Sequence, residues 1–178
     1  MALEYNVFSS PFRWSGTTII ITLAALALLA GACVFLKVYK WPTALLWFKC
    51  LLIIVFLSTV VIGVGFMPIK LTANENIVSV KRLFGALTIP RSEIVESREL
   101  LKPEIVKSVR TFGSGGLFGY LGHFSNSIIG EYTMYATDLD HLVLIRTHNR
   151  VFVFSCSNPQ EFIDYLQRKH PEIRVFPI

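Results

Sequence analysis

Two long apolar stretches fill most of the first third of the chain, and short alternating pieces make up the rest. Residues 17–36 and 50–69 carry no charge. Each is about 20 residues long, the length a helix needs to cross a hydrocarbon core of roughly 30 Å. With spans drawn at about 17–36 and 45–68, they predict a transmembrane helical hairpin with both termini on one side. Lys37, Tyr39, Lys40, Trp41, Pro42 and Lys49 lie between the runs, and Trp14 stands ahead of the first. Cations and amphipathic rings of this kind suit the headgroup level.

After Pro68 the continuous apolar run gives way to short β-like pieces. Residues 69–73, 77–83, 86–89 and, more weakly, 94–101 read as strands, separated by Asn74-Glu75-Asn76, by Gly85 and by Pro90 to Glu93. Residues 103–109 are ambiguous between a helical turn and a strand. A glycine-rich segment follows, in which Gly113, Gly116, Gly119 and Gly122 are spaced by three and interleaved with Leu117, Phe118, Tyr120 and Leu121. Residues 131–136, 141–147 and 150–155 predict three more strands, with Asp138-Leu139-Asp140 and His148-Asn149 as hairpin turns.

The last element carries the clearest helix signals. Asn158 is placed to cap it, Pro159 fits its first position, and Glu161 completes a capping-box arrangement. Phe162, Tyr165 and Leu166 form an apolar stripe, Arg168, Lys169 and His170 oppose the dipole, and Pro171 stops the helix. The fold class is therefore two transmembrane helices followed by a mainly-β, α+β domain of antiparallel strands closed by one C-terminal helix. The division expected is 1–69 for the N-terminal segment and hairpin and 70–178 for the domain.

Composition sharpens this only in places. The net charge is +5, of which +3 lies up to Lys49 and +2 beyond, too little to point to nucleic acid. Cys33, Cys50 and Cys156 form no paired framework. Arg13, Lys70, Lys81 and Arg82 lie on the side of the termini, against Lys37, Lys40 and Lys49 in the turn. That count, with the lack of any Asn-x-Ser/Thr sequon, places the protein in the inner (cytoplasmic) membrane with both termini cytoplasmic. Ala30-Gly31-Ala32 before Cys33 loosely matches a lipoprotein cleavage box. The long run, the second run after it and the absence of Lys or Arg from the first seven residues argue against cleavage. Ala27 with Gly31, and Thr59 with Gly63, stand four apart and would let helices approach closely, within the hairpin or in a homo-oligomer.

The order of elements resembles the pleckstrin homology-like fold, and in detail the bacterial PH-domain proteins. The likeness rests on Gly-Gly-Leu-Phe-Gly-Tyr-Leu-Gly at 115–122, Tyr-Ala-Thr at 135–137 and Asn-Pro-Gln-Glu-Phe-Ile at 158–163, and it covers about residues 69 to 170. A helical hairpin ahead of such a domain is also familiar there. Lipid-binding eukaryotic relatives place several basic residues in the loop between their first two strands. Here that loop, 72–76, holds Glu75 and no cation, so the resemblance does not extend to inositol phosphates.

No catalytic, cofactor or metal site is predicted. Residues 113–118 fail the GxGxxG pattern at its last glycine, His123, His141, His148, His170 and Cys156 have no compact ligand spacing, and Ser155 and Cys156 lack a base. The expected contact residues are Leu117, Phe118, Tyr120 and Leu121, as an exposed lip toward the bilayer or a partner, and the basic pair Lys81 and Arg82. The function these features suggest is a non-enzymatic, membrane-anchored interaction or scaffold module that docks a protein segment. The alternatives are an anionic-lipid-sensing domain or an accessory subunit of a membrane complex.

Overall fold

The computed structural model describes residues 7–40 and 42–169. Two long helices, α1 (Gly16–Val38) and α2 (Leu46–Phe66), carry the apolar runs. At 1.5 Å per residue they are about 35 and about 32 Å long. Their side chains are largely exposed, including Ile20, Leu28, Ile54 and Leu57, so both are long and apolar enough to cross a membrane. Ser15 caps α1, its Oγ accepting from the Thr18 backbone N–H at 3.2 Å. Tyr39 leaves α1 in extended conformation and stacks on Phe35. Trp41 and His170 lie outside the described residues.

The segment ahead of α1 folds as a strand, β1 (Phe8–Pro11), which the sequence pattern did not announce. It pairs antiparallel with β2 (Pro68–Ala73), the first strand after α2, with Phe8 opposite Ala73 and Pro11 opposite Lys70. The helical hairpin is thus an insertion between two hydrogen-bonded neighbouring strands. That gives residues 8–11 a place in the folded domain. β3 (Ile77–Arg82) and β4 (Ala86–Pro90) complete a sheet in the order β1-β2-β3-β4.

The second sheet comprises β5 (Ile94–Leu100), β6 (Val109–Gly116), β7 (Gly119–Asn126), β8 (Gly130–Ala136), β9 (Leu142–Thr147) and β10 (Val151–Ser155), in the order β5-β9-β10-β8-β7-β6. β9 and β10 form the expected hairpin, but residues 138–140 do not turn β8 into β9. β9 crosses past β10 to pair with β5, and β10 lies parallel to β8. The reason is visible in the side chains of β9 and β10, apolar at successive positions because both faces are covered. Val143, Ile145, Phe152 and Phe154 face one core, and Leu142, Leu144, Val151 and Val153 the other. Such double-sided strands are central, not edge strands.

The first core is closed by α4 (Pro159–Lys169), which buries Phe162, Ile163 and Leu166 against both sheets. Phe8 of β1 packs on Phe162 and Tyr165. A single helical turn, α3 (Lys102–Ile105), resolves the ambiguous stretch and contributes Ile105 to the second core.

Candidate functional site

Three loops of the domain gather at the root of the helical hairpin. The loop after β8 supplies Thr137, which is fully buried and bonded at every polar atom. Its carbonyl accepts from the Ser15 N–H at 3.0 Å and from the Thr18 hydroxyl at 3.0 Å. Its hydroxyl donates to the Arg13 carbonyl at 2.6 Å, and its N–H donates to Ser155 Oγ at 3.1 Å. One residue thereby ties the entry of α1 to β10. Thr137→Val keeps the shape and the three hydrogen bonds of its backbone but orphans the Arg13 carbonyl. It should lower the stability of the full chain by about 1 kcal/mol, read as a shift of the unfolding midpoint in detergent micelles.

The glycine-rich segment is the β6–β7 hairpin. In its register Gly113 faces Gly122 and Gly116 faces Gly119, so the three-residue spacing is a set of cross-strand pairs about the turn Leu117–Phe118. All four glycines have φ between +109° and +125°. A Cβ at Gly122 would run into the Phe112 carbonyl and the Gly113 backbone, which leaves glycine as the residue that fits.

At the tip, Phe118 takes φ +58° without being glycine, a conformation that costs of order 1 kcal/mol. It is held there by the hairpin: the Phe118 N–H donates to Thr22 Oγ1 at 3.1 Å, Thr22 Oγ1 donates to the Gly116 carbonyl at 3.4 Å, and the ring lies against Gly63 of α2. Thr18 and Thr22 are the buried hydroxyls of α1, so the polar atoms in this apolar run serve docking. Gly63, expected as part of a small helix-packing face, instead makes room for the Phe118 ring. A Cβ at Gly31, on the other such face, would meet no neighbour within 4 Å.

The third loop is the β3–β4 turn. Its Phe84 N–H donates to the Gly65 carbonyl at 2.8 Å, the Phe84 ring covers Gly65, and it meets Phe66 edge-on at 6.1 Å. Just before it, Arg82 lies between two rings, 5.4 Å from Phe66 and 5.3 Å from Tyr135, and donates to the Tyr135 hydroxyl at 3.1 Å.

An exposed lip is not what residues 117–121 form. Phe118 and Leu121 are 5% and 7% exposed, because the turn folds onto the helices and the strands onto the sheet. Leu117 and Tyr120 are half-buried, and Tyr120 leans on the second core. Nor do Lys81 and Arg82 make one patch. Side chains alternate along a strand, so Arg82 joins Val78 and Val80 on the inner face while Lys81 is exposed on the outer one. The outward apolar tip that the sequence reading missed is Leu83–Phe84. Leu83 reads from sequence as the end of a strand, and only the turn geometry turns it outward. Among the described residues, no cluster of His, Cys, Asp and Glu is arranged to hold a metal ion.

Two packed sheets with a C-terminal helix across one end are the architecture of a pleckstrin homology-like domain. The Bacterial PH domain family model matches residues 69–170, more than half of the chain, and the chain belongs to that family. No curated protein and no solved structure matches it.

Proposed function

We propose that this protein is a membrane-anchored, non-enzymatic interaction module whose hairpin holds a bacterial PH domain at a fixed attitude on the cytoplasmic face of the inner membrane. PH domains are generally interaction modules without catalysis. The observation that carries the reading is the insertion of the hairpin between the paired strands β1 and β2, with Thr18, Thr22, Gly63 and Gly65 all seated against domain loops. A domain attached at two chain crossings and three loops does not swing on a tether. It presents the same surface to the cytoplasm at all times, and confinement to a thin layer raises its effective concentration toward other membrane components.

The exposed edge of β6, with Val109 and Phe112 both largely open to solvent, is where a protein segment would add as a further strand.

Topology is tested with Ser127→Cys, in the exposed turn between β7 and β8, in the full chain with Cys33, Cys50 and Cys156 replaced. A membrane-impermeant maleimide should label it only after the membrane is opened. Labelling in intact cells would put the domain outside and overturn the cytoplasmic reading.

A further inference from the structure

The apolar tip beside the hairpin root has a charge pattern behind it. Leu83 is 62% and Phe84 47% exposed. Immediately behind them Lys70 and Lys81 stand directly opposite each other on β2 and β3, both exposed. Like charges in that position repel, and nothing among the described acids approaches them closely enough to form an ion pair. At the same end of the domain, Asp138 pairs with His141 at 2.9 Å and Asp140 with Lys102 at 2.7 Å. Burial opposes ionisation of Asp138, but the hydrogen bonds from His141 and from the Asp140 N–H hold its carboxyl below the usual range. Asp140 therefore has a lysine of its own and Asp138 two hydrogen-bond donors, while no described acid pairs with Lys70 or Lys81.

The lengths of the helices say what meets this tip. From Lys49, the last cation before the apolar part of α2, to the end of α2 at Phe66 the rise is about 26 Å. Counted from Leu46 the whole helix rises about 30 Å, the thickness of a hydrocarbon core, so its Phe66 end lies at the boundary of that core. What continues from the end of α2 is the β3–β4 turn, bonded to Gly65 and packed on Phe66. On the α1 side the β6–β7 tip reaches Thr22, about 9 Å along the helix from its start at Gly16.

Resting on the membrane-spanning reading above, we propose that Leu83 and Phe84 insert into the leaflet next to the hairpin root, and that Lys70 and Lys81 hold an anionic lipid headgroup between them. The occupant is the bilayer itself, continuous with the surface of the helices. The phosphate oxygens of a headgroup would relieve the repulsion of the lysine pair, and the Leu83 side chain would lie at the boundary of headgroups and acyl chains, where apolar area is gained from water.

The test is a nitroxide at Leu83→Cys in the full, otherwise Cys-free chain, reconstituted into vesicles of phosphatidylcholine and phosphatidylglycerol. Labels at Leu28, midway along α1, and at Ser127 serve as references. Relaxation by lipid-soluble oxygen relative to an aqueous nickel chelate should be several-fold higher at 83 than at 127. It should fall at 83, and not at 28, when phosphatidylglycerol is left out or when Lys70→Gln and Lys81→Gln are introduced. Values at 83 equal to those at 127, with 28 still deep, would overturn the insertion alone. A water-exposed label at 28 would overturn the spanning reading and this one with it. Spin–spin broadening at 83 that survives dilution with lipid would put a second copy on the tip instead of the leaflet. A ratio at 83 indifferent to headgroup and to the lysines would remove the anionic site.

Discussion

Replacing Gly63 by Leu should lift the β6–β7 turn off the hairpin and destabilise the full chain by about 3 kcal/mol, of which overpacking supplies about 2 kcal/mol and the lost hydrogen bonds at Thr22 the rest. A Cβ at this position would already overlap the Phe118 ring. The ring has little freedom to retreat, because its backbone N–H is fixed to Thr22 and its φ of +58° belongs to a two-residue turn clamped between Gly116 and Gly119. Relief therefore comes from moving the turn as a unit, which breaks the two bonds that Thr22 makes with Gly116 and Phe118. Amide exchange in a peptide covering residues 114–120 should rise sharply, alongside a lower unfolding midpoint in micelles. Phe118→Ala is destabilising alone, yet in the Gly63→Leu background it should cost little, because the packing of the ring on α2 is already lost and alanine removes the clash. Unchanged exchange at 114–120 in Gly63→Leu would mean that the turn does not depend on α2.

This joint shows where sequence reading reaches and where it stops. The two apolar helices, β2 to β5, the β9–β10 hairpin and α4 follow from periodicity and from turn residues, which act over a few neighbouring positions. β1 does not, because Phe-Ser-Ser-Pro has no alternation to read and its partner strand lies beyond the whole hairpin. The β6–β7 pair was hidden by its glycines, which are poor strand formers, although their three-residue spacing was the trace of facing pairs about a turn. Thr18, Thr22, Gly63 and Gly65 look like ordinary residues of an apolar helix until the loops that rest on them are known. Contact with the membrane was expected of the glycine-rich segment. The outward apolar tip that the structure shows is Leu83 and Phe84, where the β3–β4 turn leaves Leu83 uncovered and Phe84 only partly covered by the end of α2.

Arg91→Ala should be at least as damaging as Gly63→Leu, lowering stability by about 3 kcal/mol, but at the opposite end of the domain. Arg91 follows β4 in a single 3-10 turn (Arg91–Glu93) and is 2% exposed. Its guanidinium donates to the Asn74 carbonyl at 2.9 Å and to the Leu166 carbonyl at 2.7 Å, and it sits 5.4 Å over the Tyr165 ring. One planar fork thus joins the β2–β3 turn to the last turn of α4, and places a positive charge where the helix dipole is negative. The sequence points to Arg168 and its neighbours for that task, and among the described residues Arg91, from a turn far away in the chain, reaches the α4 carbonyls. Alanine would take the guanidinium donors away from the partly buried Asn74 carbonyl and the buried Leu166 carbonyl and leave a void under Tyr165. Lysine would restore the charge but not the fork, so Arg91→Lys should recover less than half of the loss. The effect should be nearly independent of pH in the neutral range, since the guanidinium stays charged, and weakly sensitive to salt, since the site is buried. Exchange should rise in residues 159–166 and at the β2–β3 turn while residues 114–120 stay protected. If the hairpin root loosens as well, the two ends of the domain unfold as one unit, and the separate roles assigned to Arg91 and Gly63 would have to merge.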